Sequence, residues 1–365
     1  MASMTKRERV LRTVRFQETD HVPLYDILDN DAIIEHYAGQ RLTVENGTWV
    51  KGLAIGRVLD MTRMVNGPQE PRRRRLENGI VVQQERWTHW IVERPFHDMP
   101  SLVEWVKKEI QREESQVFDR AYAERMHRWI RDRLANFAAG SPDGDPTVLI
   151  LESGVGLTEM YWALGLEWFV YFMTDYPDLM EEWLEARHQA ELRRVACIAD
   201  PELIPIALTY DDIAYKTAPI FSPEWLRRYW VPRLRRLVSA WHDRDTYCLF
   251  HSDGNLWPVL EDLVAAGIDG LNPLEVAAGM TVGEVRRRYP HLFLAGGIDV
   301  SQLLARGTPE QVREACRQAI VETGGVGYFM GSTTELHWEV RLENAIAMFE
   351  TAEETAAILE RPLGE

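Results

Sequence analysis

The sequence predicts an α/β fold, a (β/α)8 or TIM barrel with extra N-terminal helices and a small β-hairpin insertion. Three observations carry this. From Thr147 onward, short apolar runs alternate with amphipathic helical stretches at the spacing of parallel strands and right-handed crossovers. Counting Val22–Tyr25 and a segment near Asp60, the strands number eight, enough to close a cylinder. The rival, an open doubly wound sheet, normally shows a glycine-rich phosphate loop, and the chain contains neither GxGxxG nor GxxxxGK[ST].

Taken in order, Thr5 to Phe16 reads as a charged helix, with Thr5 as cap and Glu8 completing a capping box. Asp20 to Asp26 is a short strand, Asn30 to Tyr37 and Thr43 to Val58 are helical, and Asp60 to Val65 is a candidate strand. Gly79 to Glu93 alternates apolar with polar residues, as an antiparallel hairpin does. Pro100 to Phe137 is helical, and Gly140 to Pro146 is a flexible break. A strand starts directly after that break, so residues 1–365 read as a single domain with an insertion at about 67–145. Strands at Thr147–Glu152, Leu203–Asp212, Tyr247–Phe250, the run ending at Asn272, Leu292–Gly296 and Gly327–Gly331 follow, separated by helices.

With 365 residues and 45% apolar content the chain is ample for one elaborated barrel, and its net charge of −16 argues against general nucleic-acid binding. Arg72–Arg75, the one dense basic run, reads as a solvated loop. Cys197, Cys248 and Cys316 show no CxxC pattern, which fits reduced thiols in a cytoplasmic protein. No apolar stretch is long enough to span a bilayer, and MASMTKRERV lacks a signal-peptide core.

Polar residues collect at the carboxyl ends of the strands, where parallel α/β folds place their chemistry. His251 and Asp253, two apart, project together, and such a pair either holds a divalent metal or forms an acid/base couple. The plainer alternative is a helix cap by Asp253 and a hydrogen-bonded strand-end histidine. Of Asp211 and Asp212 only one can face inward, and Asp212 is favoured. Lys216 serves a surface pair or a substrate contact, and Asp299 caps the next helix. His251, Asp253 and Asp212 are the candidate catalytic residues. Tyr25, Asp26, Glu152, Asn272, Gly297 and His337 are the candidate substrate contacts, although Gly296 and Gly297 equally suit tight packing and Glu335 and His337 a solvated loop.

The segments Asp211–Leu237 (DDIAYKTAPIFSPEWLRRYWVPRLRRL), Phe250–Glu275 (FHSDGNLWPVLEDLVAAGIDGLNPLE) and Phe293–Ile320 (FLAGGIDVSQLLARGTPEQVREACRQAI), with the closing LENAIAMFE, resemble the uroporphyrinogen decarboxylase superfamily. The opening TKRERVLRTVRFQETDHVPL is similar to the start of its methyltransferase-like branch. The resemblance implies a (β/α)8 barrel with its site at the carboxyl mouth, and a homodimer. It also implies one of several activities, among them haem-pathway decarboxylation, cobalamin-dependent methyl transfer and demethylation of methoxylated aromatics.

The true decarboxylase has an arginine-rich RQAGR after its first strand, whereas this chain reads YDILDNDAIIEHY, a poor partner for a polycarboxylate. Thiol-methylating members hold zinc with a histidine, a cysteine two residues on and a distant cysteine. Here His251 is followed by Asp253, so a sulfur-rich zinc site is missing. A harder Zn2+ site of His251, Asp253 and Glu275 or Glu335 stays open. The expectation is a methyltransferase that moves a methyl group from a small methoxylated or methylated substrate to cobalamin on a separate corrinoid carrier protein, because no DxHxxG carrier signature is present. The alternatives are a decarboxylase-like carboxy-lyase acting on another carboxylated substrate, and a binding protein without chemistry.

Overall fold

The computed structural model describes residues 4–360, and a ring of eight parallel strand segments lies at its centre. In chain order the strands are β1 (Leu28–Asp29), β2 (Met61–Thr62), β3 (Arg72–Arg75), β4 (Val81–Gln84), β5 (His89–Glu93), β6 (Val148–Leu149) and β7 (Leu151–Gly154). They continue as β8 (Ile206–Tyr210), β9 (Tyr247–His251), β10 (Gly270–Asn272), β11 (Phe293–Ile298), β12 (Tyr328–Ser332) and β13 (Leu336–His337). β7 through β12 pair successively in parallel. The ring closes through single bridges, Leu24 to Met330 and Tyr25 to Met61, and through β2 pairing β6. The predicted strand Asp20–Asp26 is therefore reduced to two bridging residues. The expected eight positions are all occupied.

Side-chain alternation sorts the residues between two cores. Met61, Ile150, Leu208, Leu249, Phe293 and Phe329 fill the barrel interior. Their strand neighbours, such as Cys248 and Phe250, face the surrounding helices. Burial on both faces is why these strands read as nearly continuous apolar runs. The helix Lys6–Val14 is capped by the Thr5 side chain, which accepts from Glu8 N–H, and it seats Val10 and Val14 among the inward residues at the amino end. Arg9 pins it there: its guanidinium reaches Asp20 at 2.7 Å and Asp60 at 2.5 Å, and Asp60 in turn accepts Leu24 N–H at 2.8 Å. The floor is plugged and the carboxyl end carries the loops.

The insertion differs in detail from expectation. Arg72–Arg75 is not a loop but the exposed edge strand β3, paired antiparallel with β4, which itself pairs β5. A run of four arginines gives no apolar alternation to read, and the strand exists because β4 offers it a ladder. The helical stretch Pro100–Phe137 is two helices, Met99–Ser115 and Arg120–Gly140, the second capped by Asp119 accepting Tyr122 N–H. Leu157–Thr174 likewise splits at Gly165, whose φ of +84° ends one helix and starts the next. Among the described residues no helix is long and apolar enough to cross a membrane. The absence of a signal-peptide core was read partly from Met1–Ser3, which lie outside the described residues.

Candidate active site at the carboxyl mouth

β9 ends in His251, which follows Tyr247 and Leu249 into the barrel and is buried. β10 lies beside it with Asn272 in register opposite. The Asn272 amide donates through Nδ2 to Ala295 O at 3.1 Å, so its Oδ1 faces the imidazole, 2.6 Å from His251 Nδ1. An amide oxygen only accepts, so Nδ1 carries the hydrogen and Nε2 keeps its lone pair. That lone pair looks toward Asp212 Oδ1 at 3.8 Å. Burial, with the Arg63 cation nearby, pushes His251 down to about 3, so the ring is neutral.

Asp253 lies two residues beyond β9 on the same rim. Its Oδ1 is buried without a hydrogen-bond partner. Burial first, then the neighbouring Asp212, Glu275 and Glu335 carboxylates, pushes it up to about 8, so it is a neutral acid at pH 7. The loop is fixed from both sides. Gly254 has φ +90°, a side chain there would meet the Ala214 backbone at 2.6 Å, and its N–H donates to Glu275 Oε2 at 2.8 Å. Ser252 Oγ accepts Ile213 N–H at 3.0 Å. Asp212 is also held above the ordinary carboxylate range, mainly by burial.

The two aspartates after β8 divide as alternation requires. Asp212 faces the mouth, whereas Asp211 turns outward and accepts from Thr158 N–H, Gly156 N–H and Trp230 Nε1–H. Tyr161 donates its hydroxyl to Asp212 O at 2.9 Å. On β7, the strand next to β8, Glu152 points to the mouth and accepts from Arg63 Nη1 at 3.1 Å, with the buried Tyr25 beside them. Arg63 follows Thr62, two residues beyond the inward Met61, and acts on His251, Asp253 and Tyr25 through its charge. The sequence does not mark it, because it falls inside the candidate strand Asp60–Val65. Its signal is positional: a cation at a strand end among acids.

Several expected substrate contacts have other work. Asp26 accepts from Ser332 N–H and Oγ–H, both at 2.8 Å, and from Ile27 N–H, and so closes the seam between the first and last barrel strands. Burial pushes it up to about 7. Asn272 positions His251 rather than facing the mouth freely. A side chain at Gly297 (φ +91°) would strike Val282 Cγ2 at 2.4 Å, so this glycine answers to packing. His337 sits on β13, paired with Asp29 of β1, and its Nδ1 accepts from Glu339 N–H at 3.2 Å, a loop-stabilising role.

The expected zinc donors do not fit as they stand. His251 faces Asp212 rather than Asp253, and Glu275 is turned to Gly254. Among the described residues the one group of three His, Cys, Asp or Glu donors lying within 4.8 Å of one another is His242, Cys248 and Asp269, away from the mouth. The mouth therefore presents proton-holding groups: a neutral imidazole with a free lone pair, two carboxyls biased toward the acid form, and one guanidinium opposite.

Among curated proteins, nothing matches the chain in sequence. A solved structure described as a methyltransferase from Methanosarcina mazei superposes with a TM-score of 0.68 at 14% identity, covering 96% of this chain and 99% of that one. At that identity the likeness bears on the fold, and it agrees with the barrel above. A glycerophosphoryl diester phosphodiesterase from Parabacteroides distasonis aligns over 100% of this chain and 95% of its own, at 12% identity and a TM-score of only 0.36. The family model for uroporphyrinogen decarboxylase (URO-D) matches residues 157–355, the stretch that contributes Asp212, His251, Asp253, Glu275 and Glu335. With more than half its length so matched, the chain belongs to the uroporphyrinogen decarboxylase family.

Proposed function

We propose that the chain is a methyltransferase that takes a methyl group from a small methoxylated or methylated substrate in the barrel mouth and passes it to a corrinoid on a separate carrier protein. The observation that carries the reading is Asp253, a carboxyl held in its acid form on the same rim as the neutral His251. The name of the Methanosarcina mazei structure supports it. When bound, the corrinoid supplies the nucleophile for the methyl group.

The chain's own residues manage the leaving group. As the methyl departs, the substrate oxygen or nitrogen keeps the bonding electron pair and takes the proton of Asp253, which spares it from leaving as a bare anion. Asp212, also biased toward the acid form, and His251, whose Nε2 accepts, stand next to it as a second proton-holding pair. No step is drawn through zinc. The corrinoid carrier and a homodimer are the partners in this reading.

The test gives the purified protein a reduced corrinoid carrier and a panel of methoxyarenes and methylamines, and follows methyl-corrinoid absorbance. Transfer from at least one substrate is expected, and none from any would end the proposal. A carboxy-lyase is the second reading. Arg63 favours it, as a mouth cation whose Nε is buried without a partner and which would grip a substrate carboxylate. Release of CO2 from a carboxylated compound with no corrinoid present would decide for it.

A further inference from the structure

Cys248 and His251 lie on one strand but serve opposite faces. Three residues of β-strand put them about 10 Å apart along the chain, and Cys248 points outward to the helix Val231–His242 while His251 points into the barrel. At the amino end of β9, His242, the last residue of that helix, approaches Asp269, the residue before β10. His242 Nε2 is 2.8 Å from Asp269 Oδ2, and the same oxygen accepts Cys248 N–H at 2.7 Å. One donor atom each from His242, Cys248 and Asp269 fall within 4.8 Å of one another.

From this geometry we infer a zinc site away from the mouth, at the amino end of β9 and β10, built from His242 Nε2, Cys248 Sγ and Asp269 Oδ2. The mixed nitrogen, sulfur and oxygen set suits zinc and not calcium or magnesium, which take oxygen alone. Zinc bonds of about 2.0–2.3 Å place tetrahedral donors roughly 3.3–3.8 Å apart. Binding thus draws the sulfur in and opens the His242–Asp269 hydrogen bond by under about 1 Å, which the half-exposed His242 can follow.

A cavity of about 500 Å3 lined by Arg15, His242, Asp245, Thr246, Tyr247 and Asp269 adjoins the three donors and has room for a water as fourth ligand. The charges balance. Zinc displaces the thiol proton of Cys248 to solvent, and the hydrogen that His242 Nε2 donates to Asp269 leaves that nitrogen, so that the neutral ring keeps its hydrogen on Nδ1; a dication then meets one thiolate, one carboxylate and one neutral imidazole, and the complex is neutral. The carbonyl end of the helix also favours a cation there. The bound ion would tie the helix to two barrel strands at the end away from the catalytic mouth.

Sulfur makes the site readable on its own, because none of the candidate residues at the mouth is a cysteine. Chelator-treated protein titrated with Co2+ should gain a thiolate-to-cobalt charge-transfer absorption that saturates at one equivalent and is displaced by Zn2+. Cys248→Ser should abolish the band, His242→Gln should weaken Co2+ binding by at least about tenfold, and His251→Ala should leave it unchanged. Absence of the band in the wild-type protein overturns the site, and so does a band that survives Cys248→Ser. If the buried serine prevents folding, survival of the band in the near-surface variant His242→Gln at full affinity overturns it equally.

Discussion

Asn272 holds His251 in a single tautomer: its side-chain oxygen is 2.6 Å from Nδ1, and its nitrogen is committed to Ala295 O on the next strand. The amide cannot flip without losing that second bond, so the imidazole presents an unprotonated Nε2 to the mouth. Replacing Asn272 with alanine should lower turnover by about 10–100-fold and let the ring sample both tautomers. The 15N shifts of the imidazole report the tautomer directly, and an unchanged Nδ1–H signal would show that something else fixes the ring.

Asp253 sets the upper pH limit. The step needs its acid form, so the rate should hold at neutral pH and fall as pH rises through about 8. Asp253→Asn should cost about 10²–10⁴-fold in turnover, the usual worth of a positioned general acid.

The same carboxyl governs stability, with a definite sign. Its folded value lies above the ordinary 3.8, so the native state holds a proton that the unfolded chain has released. Its contribution is full below about 4 and is lost as pH rises through about 8. Thermal melts across that window should show the wild-type protein losing Tm relative to Asp253→Asn. Parallel curves would place the shift elsewhere.

Arg63 helps to keep His251 neutral. The guanidinium disfavours a second cation in the same low-dielectric mouth, so Arg63→Met should raise the His251 pKa from about 3. It also leaves Glu152 without its partner at 3.1 Å. NMR titration of the imidazole checks the direction, and a fall would contradict it.

Arg9 is the anchor of the floor helix. Arg9→Ala would take the guanidinium from the partly buried Asp20 and the buried Asp60, leaving them backbone N–H donors and the His21 ring, and breaking a buried pair from one side typically costs about 3–5 kcal/mol. Denaturant unfolding should show a loss of that order, with the mouth chemistry per folded molecule retained.

The barrel itself was legible in the chain because strands buried on both faces need long apolar runs, and parallel neighbours need helices between them. Thr147 to Ser332 shows both. Period-two alternation also determined that His251, Asp253 and Asp212 share the mouth, as observed. It could not reveal Arg72–Arg75 as a strand, since an exposed edge has no buried face to mark it. Nor could it show that Asp26 is committed to Ser332, Asn272 to His251 and Gly297 to Val282. Those relationships join residues up to 306 positions apart. Local sequence dictates which way a side chain leaves its own strand, but what it meets there depends on the closing of the ring, which sets the burial and charge around Asp253 and brings Arg63 into the field of His251.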